Sequence, residues 1–277
     1  MKTLYISDLD GTLLNEQAEI DQETRKTLCS LIGRGMHFTV ATARTAATVT
    51  QILDGIPLSC PAILMNGVVT FDLADKQYED CYFIGGDALE EMLNILRHWG
   101  SPGFLYRIDG EGLHTAYVNL DTPHAAAFVE ERVKRYGKRF ERVTDFADAG
   151  SGAVYYSVSD RYAVLTGMQE ALASVPGLHL NFYRDVYADD FWYLELSSCE
   201  ASKYHALMTL RKRYGYDRVI CFGDNLNDLP LFAASDYRCA VENAHPELKR
   251  AADCVISSHR EAGVARYLEQ VFSPDNG

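Results

Sequence analysis

The sequence lacks the features that mark several classes of protein. Its seven cysteines are odd in number and scattered, with no Cys-x-x-Cys pair, which disfavours a disulfide scaffold and a structural zinc site. The longest uncharged stretch, residues 55–71, contains two prolines, two glycines and an asparagine and is not a membrane span. The first apolar run stops at Asp8, so no signal peptide is predicted. We therefore expect a protein of the reducing cytoplasm.

Positive charge is also scarce. The 277 residues include 26 Lys and Arg against 39 Asp and Glu, a formal net charge of −13. The densest basic cluster is the short run at 211–213. This balance disfavours nucleic acid or an anionic membrane as a partner. With 47% hydrophobic residues, the chain is long and apolar enough for a large core and two domains.

Two carboxylates follow directly after a short apolar strand near the start of the chain. They belong to the run DLDGT at residues 8–12. Ligands of open α/β sheets bind beyond the carboxyl ends of the strands. Gly11 permits a tight turn there, and the Thr12 hydroxyl is expected to bond back to the backbone. Because neighbouring carboxylates repel one another, Asp8 and Asp10 require a cation between them or a proton on one of them.

A second acidic turn repeats this pattern far downstream. The apolar run VICF is followed at once by GDNLND at residues 223–228. Asp224 and Asp228 are four positions apart, so an acid at the strand tip and one in the first helical turn can face the same point. With Asp8 and Asp10 they make four hard oxygen donors and no soft ligand, which suits Mg²⁺. For Asp228 alone, capping of a helix N-terminus is an equally good interpretation.

These two turns resemble the first and last signature motifs of the haloacid-dehalogenase superfamily of phosphatases. The run FTVATAR at residues 38–44 is similar to the second motif, and Lys203, preceded by a serine, stands where the family keeps its lysine. Asn66 and Asn243, each followed by a small residue, resemble the Cof-type subgroup. The motifs come in the family's order and span both ends of the chain. The departures are Ala43 and Tyr204 in place of glycines, and His259 and Ala262 in place of Asn and Asp.

Helices and strands alternate in both flanks of the chain, which predicts an α/β fold with a doubly wound, Rossmann-like parallel sheet that includes a strand near 61–65. The middle, residues 83–197, has helices followed by paired antiparallel strands, with a hairpin turn at Asp109. We therefore expect a catalytic core of residues 1–82 and 198–277 with an inserted α+β domain. The resemblance implies the same arrangement, with the insertion as the large cap domain that determines substrate specificity.

The resemblance also implies a role for each motif residue. Asp8 would be the nucleophile that attacks phosphorus, and Asp10 would be the general acid and base for the leaving group and the attacking water. The predicted phosphate- and substrate-binding residues are Thr42, Ala43, Lys203 and Asn227. The predicted Mg²⁺ ligands are Asp8, Asp10 through its main-chain carbonyl, Asp224 and Asp228, the last also orienting the site.

Several side chains keep two interpretations. Thr42 can cap the next helix as well as bind phosphate, and Lys203 would otherwise be a surface lysine. Arg44 either pairs with an acid of the cap or contacts substrate, whereas Asn66 and Asn243 are expected to stabilise turns. The first candidates for substrate contact in the insertion are Arg107, Tyr183 and Arg184, within a wider set of Tyr106, Tyr117, Tyr155, Tyr156, Tyr187 and Trp192.

The ordered motifs predict a Mg²⁺-dependent phosphatase that hydrolyses a phosphomonoester of a small metabolite, a sugar phosphate or a phosphorylated cofactor. The resemblance implies that this reaction proceeds through an aspartyl-phosphate. Two alternatives stay open. A phosphotransferase or mutase would pass the same aspartyl-phosphate to a sugar, and a ligand-binding regulatory module would keep the fold without turnover. The expected partner is the phosphorylated metabolite, without nucleic acid or membrane, and the chain is expected to be a monomer or a small homo-oligomer.

Overall fold

The computed structural model of the protein describes residues 1–184 and 190–273. The strands are β1 Thr3–Ser7, β2 His37–Val40, β3 Ala62–Leu64, β4 Val69–Asp72, β5 Gln77–Cys81, β6 Phe104–Asp109, β7 Gly112–Tyr117, β8 Phe140–Arg142, β9 Ala153–Arg161, β10 Leu178–Arg184, β11 Phe191–Ser198, β12 Arg218–Gly223, β13 Tyr237–Val241 and β14 Cys254–Ile256. The helices are α1 Gln22–Gly33, α2 Ala46–Ile52, α3 Gly86–His98, α4 Pro123–Tyr136, α5 Tyr162–Leu172, α6 Lys203–Tyr214, α7 Leu229–Ala233, α8 Pro246–Ala251 and α9 Gly263–Val271.

Internal packing divides the chain into two compact units. The first combines Met1–Asp80 with the segment that begins at Ser202, and the second is Cys81–Ala201. The sequence placed the boundaries after residues 82 and 197. The later second boundary follows from the length of β11, which pairs with β10 as far as Ser198. No helix among the described residues is long and apolar enough to cross a membrane.

The first unit is built around a five-stranded parallel sheet in the order β14-β13-β12-β1-β2. The interior strand β1 is buried along its whole length, as expected for a strand covered on both faces. β2, the next strand of this sheet along the chain, lies on one side of β1, and β12 lies on the other side. The order in which the chain adds strands to the sheet therefore reverses at β1. The predicted α/β fold with a parallel sheet is confirmed, and the reversal is where such sheets bind ligands.

The strand predicted near 61–65 departs from the expected sheet. β3 begins a separate antiparallel sheet in the order β3-β4-β5, and a single parallel bridge from Ala41 to Ile63 connects it to the end of β2. Met65 and Asn66 both have positive φ, 52° and 58°, and this backbone turns the chain back on itself. β3 therefore pairs with the strand that follows it.

The second unit contains a six-stranded sheet in the order β10-β11-β9-β6-β7-β8. One face packs against α3 and α5 around a buried apolar cluster that includes Met92, Leu165, Tyr156 and Leu194. Burial of this face gives the unit its own core. The edge strand β8, which pairs with β7 in parallel, was not predicted, because three residues are too few for a periodic signal.

Candidate active site

The two acidic turns lie side by side at the carboxyl ends of β1 and β12. These strands pair in parallel with Ser7 opposite Phe222, and the Asp8 N–H donates to the Phe222 carbonyl at 3.0 Å. Both chains leave the sheet immediately beyond this pair, so their first side chains face a common space. Strand pairing thus brings Asp8 and Asp224 together from positions more than two hundred residues apart in the sequence.

Two glycines allow the carboxylates to approach the backbone. Gly11 has φ of +71°, and a Cβ there would overlap the Asp224 carboxylate. A Cβ on Gly223 would lie 2.7 Å from Asp228 Oδ2, closer than atoms can pack. Both glycines are therefore required by a neighbouring acid, and Gly11 is also required by its positive φ.

Lys203 is held at the first position of α6 by its surroundings. The Ser202 hydroxyl accepts from the His205 N–H at 3.1 Å and caps the helix, an interaction worth about 1 kcal/mol. A Cβ on Gly67 would overlap the Ser202 carbonyl and the Lys203 nitrogen, so this turn packs directly against the helix start. The Asn-Gly pair at residues 66–67 was a sequence signal for such a turn.

The Lys203 ammonium joins two carboxylates in a buried site. Lys203 is 1% exposed, and its Nζ donates to Asp8 Oδ1 at 2.8 Å and to Asp228 Oδ1 at 2.7 Å. Asp228 Oδ2 accepts from the N–H groups of Asp224 and Asn225 at 3.0 and 3.2 Å. Lys203 is thus no surface lysine, and Asp228 both closes its own turn and holds the ammonium in place.

Burial and mutual repulsion shift the pKa values of this cluster. Burial raises the pKa of Asp8 well above its usual value, and the charges of Asp228 and Asp224 raise it further against the opposing effect of Lys203. Burial and Asp228 raise the pKa of Asp224 to about 7. Burial disfavours the charged form of Lys203, but Asp228 and Asp8 outweigh it and raise its pKa. The raised pKa values show that Lys203 alone does not offset burial and mutual repulsion of the ionised carboxylates.

The donor set fits a divalent cation. Asp8, Asp224 and Asp228 each offer a carboxylate oxygen within 4.8 Å of the others. Three carboxylates and one ammonium leave an excess of two negative charges when all are ionised, which a divalent ion neutralises. Carboxylate oxygens without thiol or imidazole ligands favour Mg²⁺. The Asp10 side chain is outside this group in the described chain, and its predicted contribution through the main-chain carbonyl stays a prediction.

Asp10 and Arg44 form an ion pair at the edge of the site. Arg44 donates through Nε to Asp10 Oδ2 at 2.8 Å and through Nη2 to Oδ1 at 2.6 Å, a two-point contact of the stronger kind. The Asp10 side chain is 53% exposed. The sequence predicted an acid of the cap or the substrate as the partner of Arg44, and this prediction missed Asp10. No local pattern relates two residues at the ends of different strands.

Thr42 and Ala43 follow β2 at the same edge of the sheet. Thr42 is fully buried, and its hydroxyl accepts from the Arg44 N–H at 3.2 Å. It does not cap α2, whose first turn has no side-chain cap, so that alternative is wrong. Ala43 is exposed and offers only its backbone to a ligand. The phosphate-binding roles of both residues stay predictions.

Amide side chains join the turns that surround the acids. Asn227 Nδ2 donates to Asn66 Oδ1 at 3.2 Å, and Asn243 Nδ2 donates to the Gly11 carbonyl at 2.8 Å. The Thr12 hydroxyl, expected to bond to the backbone, instead faces Asp224 Oδ1 at 3.4 Å. These contacts fix the turns relative to one another, as anticipated for Asn66 and Asn243. The role of Asn227 toward phosphate stays a prediction.

The candidate residues of the insertion have partners within their own unit. Arg107 pairs with Asp109 at 2.5 Å and with Glu141 at 3.6 Å, so it is not simply solvated. Tyr183 donates its hydroxyl to Glu195 at 2.8 Å. Tyr156, also in the candidate set, belongs to the core and is fully buried. Tyr187 lies outside the described residues.

Comparison with known proteins agrees with this fold. A sequence model described as haloacid dehalogenase-like hydrolase matches residues 5–268, and the chain therefore belongs to this family. It is 26% identical over 299 residues to the 5-amino-6-(5-phospho-D-ribitylamino)uracil phosphatase YwtE of Bacillus subtilis, covering 99% of both chains. It is also 26% identical over 310 residues to the phosphatase YwpJ of the same organism, covering 98% of this chain and 100% of the relative.

A solved structure shows the same fold. It is a haloacid dehalogenase-like hydrolase from Bacteroides thetaiotaomicron, with a TM-score of 0.80 and 21% identity, covering 98% of this chain and 100% of the other. Together these findings confirm the predicted superfamily and the predicted class of enzyme, a hydrolase that acts on phosphate esters. They leave the role of each site residue as a prediction.

Proposed function

We propose that the protein is a Mg²⁺-dependent phosphomonoesterase that acts on a small phosphorylated metabolite through an aspartyl-phosphate on Asp8. The observation that carries this proposal is the buried cluster of Asp8, Asp224 and Asp228 around Lys203. A structural ion pair has no need of a second and a third carboxylate within 4.8 Å. The excess negative charge of these carboxylates binds a cation, and an enzyme that acts on phosphate esters needs such a cation to neutralise the phosphate.

Asp8 performs the first displacement. An oxygen of its carboxylate forms a bond to phosphorus while the bond from phosphorus to the leaving oxygen breaks. The Lys203 ammonium at 2.8 Å keeps this carboxylate oriented and favours its ionised form. Water then attacks the phosphorus of the aspartyl-phosphate and releases inorganic phosphate and free Asp8. Two displacements thus replace a single direct attack by water.

Asp10 supplies the proton to the leaving alkoxide and takes one from the attacking water. In the structure both of its carboxylate oxygens accept from Arg44, so Asp10 leaves this contact to deliver a proton. Its side chain is about half exposed, so little packing opposes the movement. Arg44 therefore holds Asp10 at the edge of the site, and the ion pair breaks during each catalytic cycle.

The remaining residues bind the phosphoryl group and the cation. Lys203, Thr42 and Ala43 bind the phosphoryl oxygens, and Asn227 lies at the adjacent turn. Asp8, Asp224 and the Asp10 carbonyl would hold Mg²⁺, while Asp228 orients the cluster through Lys203 and its own turn. When bound, Mg²⁺ supplies charge neutralisation for the phosphate oxygens.

The substrate class follows from the chemistry of the site and from one relative. The core residues contact phosphate and cation, which every phosphomonoester shares. The relative YwtE is named for a substrate that carries a phosphorylated ribityl chain on a uracil. We infer a substrate of similar size, a sugar phosphate or a phosphorylated cofactor precursor, in a cytoplasmic protein.

We propose that the inserted unit determines substrate specificity. It carries none of the motif residues of the core, and its sheet holds polar aromatic groups such as Tyr183 with Glu195. Tyr183→Phe removes the donated hydrogen bond and keeps the ring, and Arg107→Gln removes an ion pair with Asp109. These variants should change the ranking of esters by kcat/KM while altering p-nitrophenyl phosphate hydrolysis little. If a variant changes kcat/KM for all esters by the same factor, substrate selectivity is determined by the core unit instead.

The test of the proposed function is a panel of phosphate esters assayed with Mg²⁺ and with a chelator. Release of inorganic phosphate with Mg²⁺ and its loss with chelator support the proposal. Release that survives chelation contradicts the metal role. A phosphorylated acceptor in place of free phosphate indicates a phosphotransferase or mutase, and no reaction with any ester indicates a regulatory binding module.

A further inference from the structure

Two thiols outside the acidic site lie in contact across neighbouring strands. Cys239 of β13 and Cys254 of β14 are directly opposite in the parallel register, and their Sγ atoms are 3.4 Å apart. Neighbouring strands are about 4.8 Å apart, which is within the range of Cα separations in disulfides. The sulfurs need to approach by only about 1.4 Å to reach bonding distance, so no change of register is required.

The fold leaves one of these thiols accessible and protects the other. β14 is an edge strand of the sheet, and Cys254 is partly exposed, whereas Cys239 is buried. Burial raises the pKa of the Cys239 thiol, and the neighbouring Cys254 raises it further. A solution oxidant therefore meets Cys254 first, and Cys239 reacts from inside the protein.

The loops that follow the two cysteines are tied to the acidic site. Asn243 comes four residues after Cys239, and Ser258 comes four residues after Cys254. The Ser258 hydroxyl donates to Asn243 Oδ1 at 3.2 Å, and Asn243 Nδ2 donates to the Gly11 carbonyl at 2.8 Å. A displacement of the two strands relative to each other therefore acts on the turn that carries both acids of the first motif.

We propose that Cys239 and Cys254 form a dithiol site that reacts with low-molecular-weight disulfides such as glutathione disulfide, and that its oxidation weakens the Asn243 contact and lowers phosphate-ester hydrolysis. The effect on hydrolysis rests on the proposed function, and formation of the disulfide does not.

The chemistry is two successive thiol–disulfide exchanges. The Cys254 thiolate attacks one sulfur of glutathione disulfide, forms a mixed disulfide and expels one glutathione thiolate. Cys239 loses its proton as it attacks the Cys254 sulfur, and the second glutathione thiolate leaves. Two protein thiols are oxidised to one disulfide, one glutathione disulfide is reduced to two thiols, and the two protons end on the glutathione products.

The test equilibrates the full chain in glutathione buffers from reducing to oxidising and then alkylates it with N-ethylmaleimide under denaturing conditions. Mass spectrometry should find peptides joined through Cys239 and Cys254, and two fewer alkyl groups on the chain. The kcat/KM for p-nitrophenyl phosphate should fall about three- to tenfold, as for the loss of one hydrogen bond. Dithiothreitol should restore both readouts.

Two variants complete the design. Cys254→Ser changes a partly exposed edge residue and should abolish both the crosslink and the oxidative loss. Cys199→Ser removes an exposed thiol of the other unit and should behave as wild type. Absence of the Cys239–Cys254 peptide in the wild type overturns the proposal, as does a crosslink with unchanged kcat/KM or an oxidative loss that persists in Cys254→Ser. A chain that forms the crosslink but hydrolyses no ester retains the thiol site and fails the proposed function.

Discussion

Replacement of Lys203 by methionine tests the electrostatic design of the acidic site. Methionine has a similar length and no charge, so the change leaves the packing volume and removes the ammonium. Asp8 and Asp228 then lose their shared partner while remaining 6% and 0% exposed at the side chain. Water replaces little of the lost contact, because both carboxylates are almost completely buried.

The expected cost is large for a single substitution. Removal of one partner from a buried ion pair costs about 3–5 kcal/mol, because the remaining charge stays buried without compensation. With a urea dependence of about 2–3 kcal/mol per molar, the unfolding midpoint should fall by about 1–2.5 M. Addition of Asp8→Asn should recover part of the loss, because it removes one of the stranded charges, and the two changes should therefore be non-additive.

The assay separates the two units of the chain. Both tryptophans, Trp99 and Trp192, lie in Cys81–Ala201, so tryptophan fluorescence follows that unit and far-UV circular dichroism follows the whole chain. In chelator, Lys203→Met should lower the dichroism midpoint. Mg²⁺ should restore part of the stability, by about 2.7 kcal/mol at one hundred times its dissociation constant.

Lys212→Met is the matched control, because Lys212 lies on the same helix and is exposed. It should change the unfolding free energy by less than about 0.5 kcal/mol. If Lys203→Met is as stable in chelator as this control, the buried carboxylates do not depend on the ammonium and our account of the site is refuted.

Further predictions concern catalysis and pH. Asp8→Asn should fold normally and lose several orders of magnitude in kcat for phosphate release; activity within about tenfold of wild type excludes Asp8 as the nucleophile. Asp10→Asn should slow alkyl phosphates more than p-nitrophenyl phosphate, whose leaving group needs little protonation, and equal losses contradict the acid role. Burial lowers the pKa of Lys138 to about 7, so the unfolded chain binds the extra proton between about pH 7 and 10.5, and stability rises with pH across this window. Lys138→Met should therefore be more stable than wild type near pH 7 by tryptophan fluorescence, with the difference shrinking toward pH 10; a constant difference is the contrary result.

Local patterns were sufficient to predict the parallel sheet and the places where acids leave it. Short β-prone runs end at Asp8 and just before Asp224, and glycine marks both turns. An acid that directly follows a strand lies at the edge of the sheet, because the backbone beyond the last paired residue leaves the hydrogen-bonded ladder. The alternation of helices and strands needs no information from distant residues.

The tertiary structure alone decided which of these groups meet. Asp10 pairs with Arg44, Lys203 bridges Asp8 and Asp228, and β3 leaves the parallel sheet for a hairpin. The contact between Cys239 and Cys254 likewise depends on β13 and β14 being neighbours in register. The side-chain contacts among these join residues on different elements of the chain, so they depend on strand order, register and side-chain rotamers. A one-dimensional pattern records which residues follow each strand, and only packing determines which of them come into contact.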